Sequence, residues 1–258
     1  MSLQALFLTL FSGPFFLFGF LVVRFVKAKK ELSILATGLA LIIMLGMLFF
    51  DLIPEIIELT VTLNGSKAHK ILLTLLFIGL GVVTLKIFDL FLPHHHHHHK
   101  DENDNLKEHN SHLFHVGFIL AISLVLHNIL EGMSLYIIAT ESVGAGVLMM
   151  LGVGLHNLPL GVEVASNMEL SKQGRKMQWG MMALLSLSSF VGGLILFFLG
   201  SSLSDFMMFF LVCVACGMIL YIALFELLRE IFSYKNNRFT YFGISLGFIL
   251  LFLMTFFE

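Results

Sequence analysis

Two histidines stand inside long apolar runs, at positions 127 and 156, and each is followed directly by asparagine. The segments read His127-Asn128-Ile129-Leu130-Glu131-Gly132 and His156-Asn157-Leu158-Pro159-Leu160-Gly161. Ionisable side chains in hydrocarbon are costly and mark function by default. Glu131 follows His127 by four residues, so the two share a helical face. His127 lies about fourteen residues into its run, near a midplane at about 1.5 Å per residue, and His156 lies about as deep in an antiparallel neighbour. Two imidazoles, a carboxylate and two amide oxygens at one depth suit zinc or a similar divalent ion. A buried His–Glu hydrogen-bond pair that merely joins helices is the competing reading. It fits a lone histidine better than two at matched depth.

The elements that hold these residues must cross a membrane. Of 258 residues, 58% are hydrophobic and 12% charged, and mean hydropathy is +0.94. A soluble domain carries about 25% charged residues. Disordered, collagenous and nucleic-acid-binding classes are excluded by the same composition. A spanning helix needs about 20 mostly apolar residues, and that rule gives eight spans: 3–26, 33–57, 71–92, 113–138, 143–167, 178–200, 206–228 and 239–257. The runs are continuous rather than alternating, which argues against a β-barrel. Cys213 and Cys216 read as small buried hydrophobes rather than a disulfide framework. Gly192-Gly193 and other glycines read as sites of close helix packing.

Lysine and arginine placement sets the orientation. Twelve of them (Arg24, Lys27, Lys29, Lys30, Lys100, Lys107, Lys172, Arg175, Lys176, Arg229, Lys235 and Arg238) fall on one side, against Lys67 and Lys70 on the other. Both termini are therefore expected outside, with the odd-to-even loops in the cytoplasm. One of those loops, 93–112, carries His94, His95, His96, His97, His98 and His99 in a row, then His109 and His112 among acids. It is too polar to pack and is expected to be disordered. It reads either as a labile metal-binding tract or as an inserted tag or inert linker.

An internal repeat is visible. Phe50-Asp51-Leu52-Ile53-Pro54-Glu55-Ile56 in the second span matches Phe225-Glu226-Leu227-Leu228-Arg229-Glu230-Ile231 in the seventh. The two His-Asn hexapeptides match as well, and both pairs of spans are antiparallel. The expected fold class is an all-α polytopic membrane protein with eight transmembrane helices in an inverted 3+2+3 repeat, termini outside. One transmembrane transporter domain then covers residues 1–258. Inverted repeats with a midplane site are a transporter signature.

The remaining buried acids suggest a route. Asp51 and Glu55 lie toward the outer end of the second span, and Glu226 and Glu230 toward the inner end of the seventh. Each pair is spaced i, i+4. Metal would pass the outer pair, bind at His127, Glu131 and His156, and leave past the inner acids. Glu230 has a competing reading as a partner of Arg229 or Lys235. Glu163 is seven residues beyond His156, about 10 Å along the axis and about 20° off its face. It reads either as part of the exit or as a carboxylate joining helices.

On these residues the sequence resembles the ZIP (Zrt/Irt-like) family of divalent metal transporters. The two His-Asn segments carry the likeness, together with the eight-span layout and the His-rich loop between spans three and four. The resemblance implies that His127, Asn128, Glu131, His156 and Asn157 line a metal site at mid-membrane. It implies movement of zinc, or of iron, manganese or cadmium, into the cytoplasm, with the metal as substrate and no catalytic cofactor. Two departures stand out: Leu160 occupies a place where many members carry Glu, and Ser189-Phe190-Val191-Gly192 replaces a Glu-Pro-aliphatic-Gly stretch. A single metal position is therefore expected. The expected partners are a divalent ion, membrane lipid and a second copy of the chain as a homodimer, without nucleic acid. The expected location is the plasma (cell) membrane.

Two other functions compete. An intramembrane zinc-dependent hydrolase would also use His and Glu ligands, but no His-Glu-X-X-His sequence is present. A cation-diffusion exporter has fewer spans and usually a soluble C-terminal domain. No Walker A sequence is present, so a secondary transporter rather than an ATP-driven pump is expected.

Overall fold

The computed structural model describes residues 2–91, 102–172, 174–199 and 204–254. All regular structure among them is helical. Eight stretches follow in order: α1 Leu3–Phe25, α2 Lys29–Thr62, α3 Lys67–Phe91, α4 Glu102–Glu141, α5 Val143–Leu170, α6 Arg175–Leu199, α7 Asp205–Ser233 and α8 Arg238–Met254. The first seven contain segments long and apolar enough to cross a membrane, and α8 is apolar but shorter. Apolar residues that cannot face water explain this. Ile71, Leu72, Leu75 and Leu76 of α3 are exposed, as are Phe7, Phe11 and Phe18 of α1.

Local chemistry sets the ends. Ser2, Ser142 and Ser204 each cap a helix that starts on the same side of the bundle, their hydroxyls accepting from the amides of Ala5, Ala145 and Met207. Ser142 is the whole of the turn between α4 and α5. The first span is interrupted at Gly13-Pro14, because proline has no amide to continue the ladder. A Cβ on Gly13 would collide with the backbone of Ser186, so α1 crosses α6 at that point.

The boundaries differ from expectation in two places. The second span runs from Lys29 to Thr62 rather than 33–57, and contains a π-helical turn at Met47–Leu52. The loop expected to be disordered over 93–112 is helical from Glu102 onward, where α4 continues into it. His109 and His112 lie on that helix, whereas His94, His95, His96, His97, His98 and His99 lie outside the described residues.

A second π-helical turn interrupts α7 at Ile222–Leu227. The two turns read Met-Leu-Phe-Phe-Asp-Leu and Ile-Ala-Leu-Phe-Glu-Leu, so Asp51 and Glu226 hold the same fifth position. Helix pairings follow a matching pattern. Helix α2 packs on α8 and α7 on α3; α1 packs on α5 and α6 on α4. The contacts agree in register too. A Cβ on Gly192 of α6 would meet Ile129 and Met133 of α4, while one on Gly19 of α1 would meet Leu158 and Val162 of α5. Gly132 meets Ser189, and Gly161 meets Phe16. These glycines are needed because the backbones approach too closely for any side chain.

Candidate metal centre

Helices α4 and α5 are antiparallel and joined by a one-residue turn, so residues equally distant from it lie at one depth. His127 and Glu131 come from α4 and His156 from α5. The His156 Nε2 atom lies 2.9 Å from Glu131 Oε1, and His127 Nε2 lies 3.9 Å from the same oxygen. The imidazole centroids are 6.4 Å apart. One ligand atom from each of the three residues lies within 4.8 Å of the other two. Tetrahedral zinc with bonds of about 2.0–2.1 Å separates its ligand atoms by about 3.3 Å, which the two observed nitrogen–oxygen distances bracket. All three residues are buried or nearly so. Three ligands leave a fourth position open, as an exchangeable site requires.

The cluster ends a cavity of about 420 Å³. Asp51 and Glu55 of α2 line the same cavity, as do Ile138 and Ala145 beside the α4–α5 turn. Its mouth therefore faces the side that carries this turn. The N-terminus lies on that side as well, since the Ser2 amide donates to the Tyr136 hydroxyl at 3.2 Å. The structure thus brings five of the predicted acids and histidines to one chamber. Ser134 and Met149 also line it, and sequence reasoning missed both. Spacing could have found them: Ser134 is seven residues after His127, and Met149 seven before His156, which in each case is nearly the same helical face.

Other predicted residues fall elsewhere. Asn128 and Asn157 are fully buried, and neither lines the cavity. Their amides have no protein hydrogen-bond partner, which is uncommon for buried polar groups. Glu163 lies below the chamber with no exposure, and Glu226 is buried in the π turn of α7. Glu230 accepts a hydrogen bond from Tyr234, whose hydroxyl burial and the nearby acids push up to about 12. Leu160 is packed in the apolar core, and Ser189 is fully buried against Gly132.

Pro159 lies inside α5. The helix runs unbroken through it, although the Leu155 carbonyl necessarily lacks its usual i+4 amide. Gly161 serves close packing on Phe16. Away from the cavity mouth, Lys29 at the start of α2 pairs with Glu169 near the end of α5.

Apolar spanning helices around a buried histidine–carboxylate cluster define an integral membrane protein with a candidate cation site. Residues 93–255 match the ZIP zinc transporter family. That is more than half of the 258 residues, and the chain belongs to this family. No significant match is found among curated proteins. Family membership implies divalent metal transport with the ion as substrate, and its members are transporters rather than enzymes.

Proposed function

We propose that this protein is a secondary transporter that moves zinc into the cytoplasm. Its central site is His127, Glu131 and His156 at the midplane, with Asn128 and Asn157 completing the polar surroundings. The observation that carries the reading is the approach of both imidazoles to one carboxylate at the end of a cavity lined by two further acids. A mixed nitrogen and oxygen set holds a borderline ion such as Zn²⁺ yet releases it more readily than a thiolate cage. Iron, manganese and cadmium are the competing cargoes.

The route runs past Asp51 and Glu55, through the cluster, and out past Glu163, Glu226 and Glu230. An inverted repeat relates spans one to three to spans six to eight within one transporter domain. Three features support it: the matched register of the π turns, the paired helix packing, and the equivalent glycine contacts. Alternating access then rocks one helix group against another around a fixed site. The excess of basic residues on the loops opposite the cavity supports termini outside. Exposed apolar faces support contact with plasma-membrane lipid, and a homodimer through such a face is the proposed assembly. The His-rich tract would bind metal loosely on the cytoplasmic side.

The test is uptake into proteoliposomes with competing metals, comparing wild type with His156→Ala. Saturable zinc uptake that disappears in the variant supports the site. Retained saturable uptake removes His156 from it, and metal-dependent hydrolysis without flux would favour an intramembrane enzyme.

A further inference from the structure

Seven residues past His156, about 10 Å further along α5, Glu163 sits in surroundings of a different kind. Its side chain has no exposure. Thr37 of α2 donates to its Oε1 at 3.1 Å, and Asn167 of α5 donates to the same oxygen at 3.0 Å. Its Oε2 is buried without a hydrogen-bond partner. No lysine, arginine or histidine forms an ion pair with it among the described residues. The charged neighbour acting on it is another acid, Glu230 of α7.

Among the described residues, the cations on the neighbouring elements are engaged elsewhere. Helix α4 brings Gly117 against Asn167, and His115 is buried on that helix with contacts of its own. Lys29 and Arg24, the cations from the starts of α2 and the end of α1, act on Glu169 instead. Tyr234 hydrogen-bonds Glu230 and keeps its own proton at neutral pH. Burial without a paired cation is costly for an ionised carboxylate and favours the neutral acid.

We propose that Glu163 is a proton-holding site on the inner half of the pathway, neutral at rest and deprotonated only while a divalent cation lies beside it. This rests on the transport reading for the cation's passage, but the resting proton does not. As the ion arrives, the Glu163 O–H bond breaks, both electrons stay on the carboxylate, and one H⁺ leaves to water on the side where α5 ends. As the ion departs to that side, the carboxylate takes one H⁺ back. Buried polar groups without protein partners mark the way from the cluster: Asn128 and Ser123 on α4, Asn157 and Ser166 on α5. Glu163 thus makes uptake sensitive to pH on the side where the metal is released.

The test has two readouts. Infrared difference spectra of the full chain in lipid, wild type minus Glu163→Gln, are expected to contain the carbonyl stretch of a protonated carboxylic acid. Glu163→Asp should shift that band rather than remove it, which keeps the assignment open to test if the glutamine variant folds poorly. Zinc uptake at varied internal pH is expected to depend on pH in wild type and to lose that dependence in Glu163→Gln, while zinc binding at the central cluster is unchanged. Absence of the acid band, or an unchanged internal-pH profile in Glu163→Gln, overturns the proposal. The band in a wild-type protein that moves no metal supports the proton site and rejects the transport reading.

Discussion

His156 Nε2 lies 2.9 Å from Glu131 Oε1, so one carboxylate ties α5 to α4 while His127 approaches the same oxygen from its own helix. The carboxylate is therefore the hinge of the cluster. Glu131→Gln keeps the shape and removes the charge. Even residues beyond the ligand shell cost about 10–100-fold in metal affinity when mutated, and the loss here is expected to be at least that large. Isothermal titration of purified protein with zinc reads it directly.

The outer acids predict a different signature. Asp51 and Glu55 line the chamber without joining the close cluster. On the proposed route they are expected to raise the local cation concentration without fixing the ion. Asp51→Asn with Glu55→Gln is expected to raise the apparent KM for uptake by up to about tenfold, with a smaller effect at high salt. The maximal rate should change little. A pair of neutral variants with wild-type uptake would take both acids off the route.

Leu160 makes a prediction about stoichiometry. It fills the apolar core one turn beyond His156 and offers no ligand atom for a second ion there. Wild-type protein is expected to bind one ion at the centre, and Leu160→Glu to bind a second. Equilibrium dialysis counts the ions, and two in the wild type would reject this account.

Close glycines give a stability contrast. A Cβ on Gly192 would strike the Ile129 carbonyl, whereas one on Gly79 meets nothing within 4 Å. Gly192→Ala is expected to destabilise by about 1–3 kcal/mol through overpacking. Gly79→Ala should be neutral or slightly stabilising. Thermal unfolding in detergent distinguishes them.

Much of this was legible in the sequence. Eight apolar runs became eight helical stretches because backbone in hydrocarbon must satisfy itself within the helix. The His127, Glu131 and His156 cluster followed from i, i+4 spacing and equal depth across a short turn. Helix ends were less legible: α4 begins eleven residues before its apolar segment, since polar residues from Glu102 onward still propagate a helix already nucleated. The π turns were invisible as such, because residue types alone do not announce an extra residue in a turn. The state of Glu163 was also hidden. Its position on α5 was readable, but Thr37 and the acid Glu230 reach it only through folding.

The matched π turns have a consequence for deletions. Removing one residue from a spanning helix ordinarily rotates everything beyond it by about 100°, turning lipid-facing side chains inward. A π turn already holds one residue more than the α-helical ladder needs. Deleting a single residue within Met47–Leu52 or Ile222–Leu227 would close the bulge and leave both flanking segments in phase. These two windows are where the chain should survive shortening with its fold intact. What it would change is the placement of Asp51 or Glu226 within the turn, so folding and transport should separate cleanly in such variants.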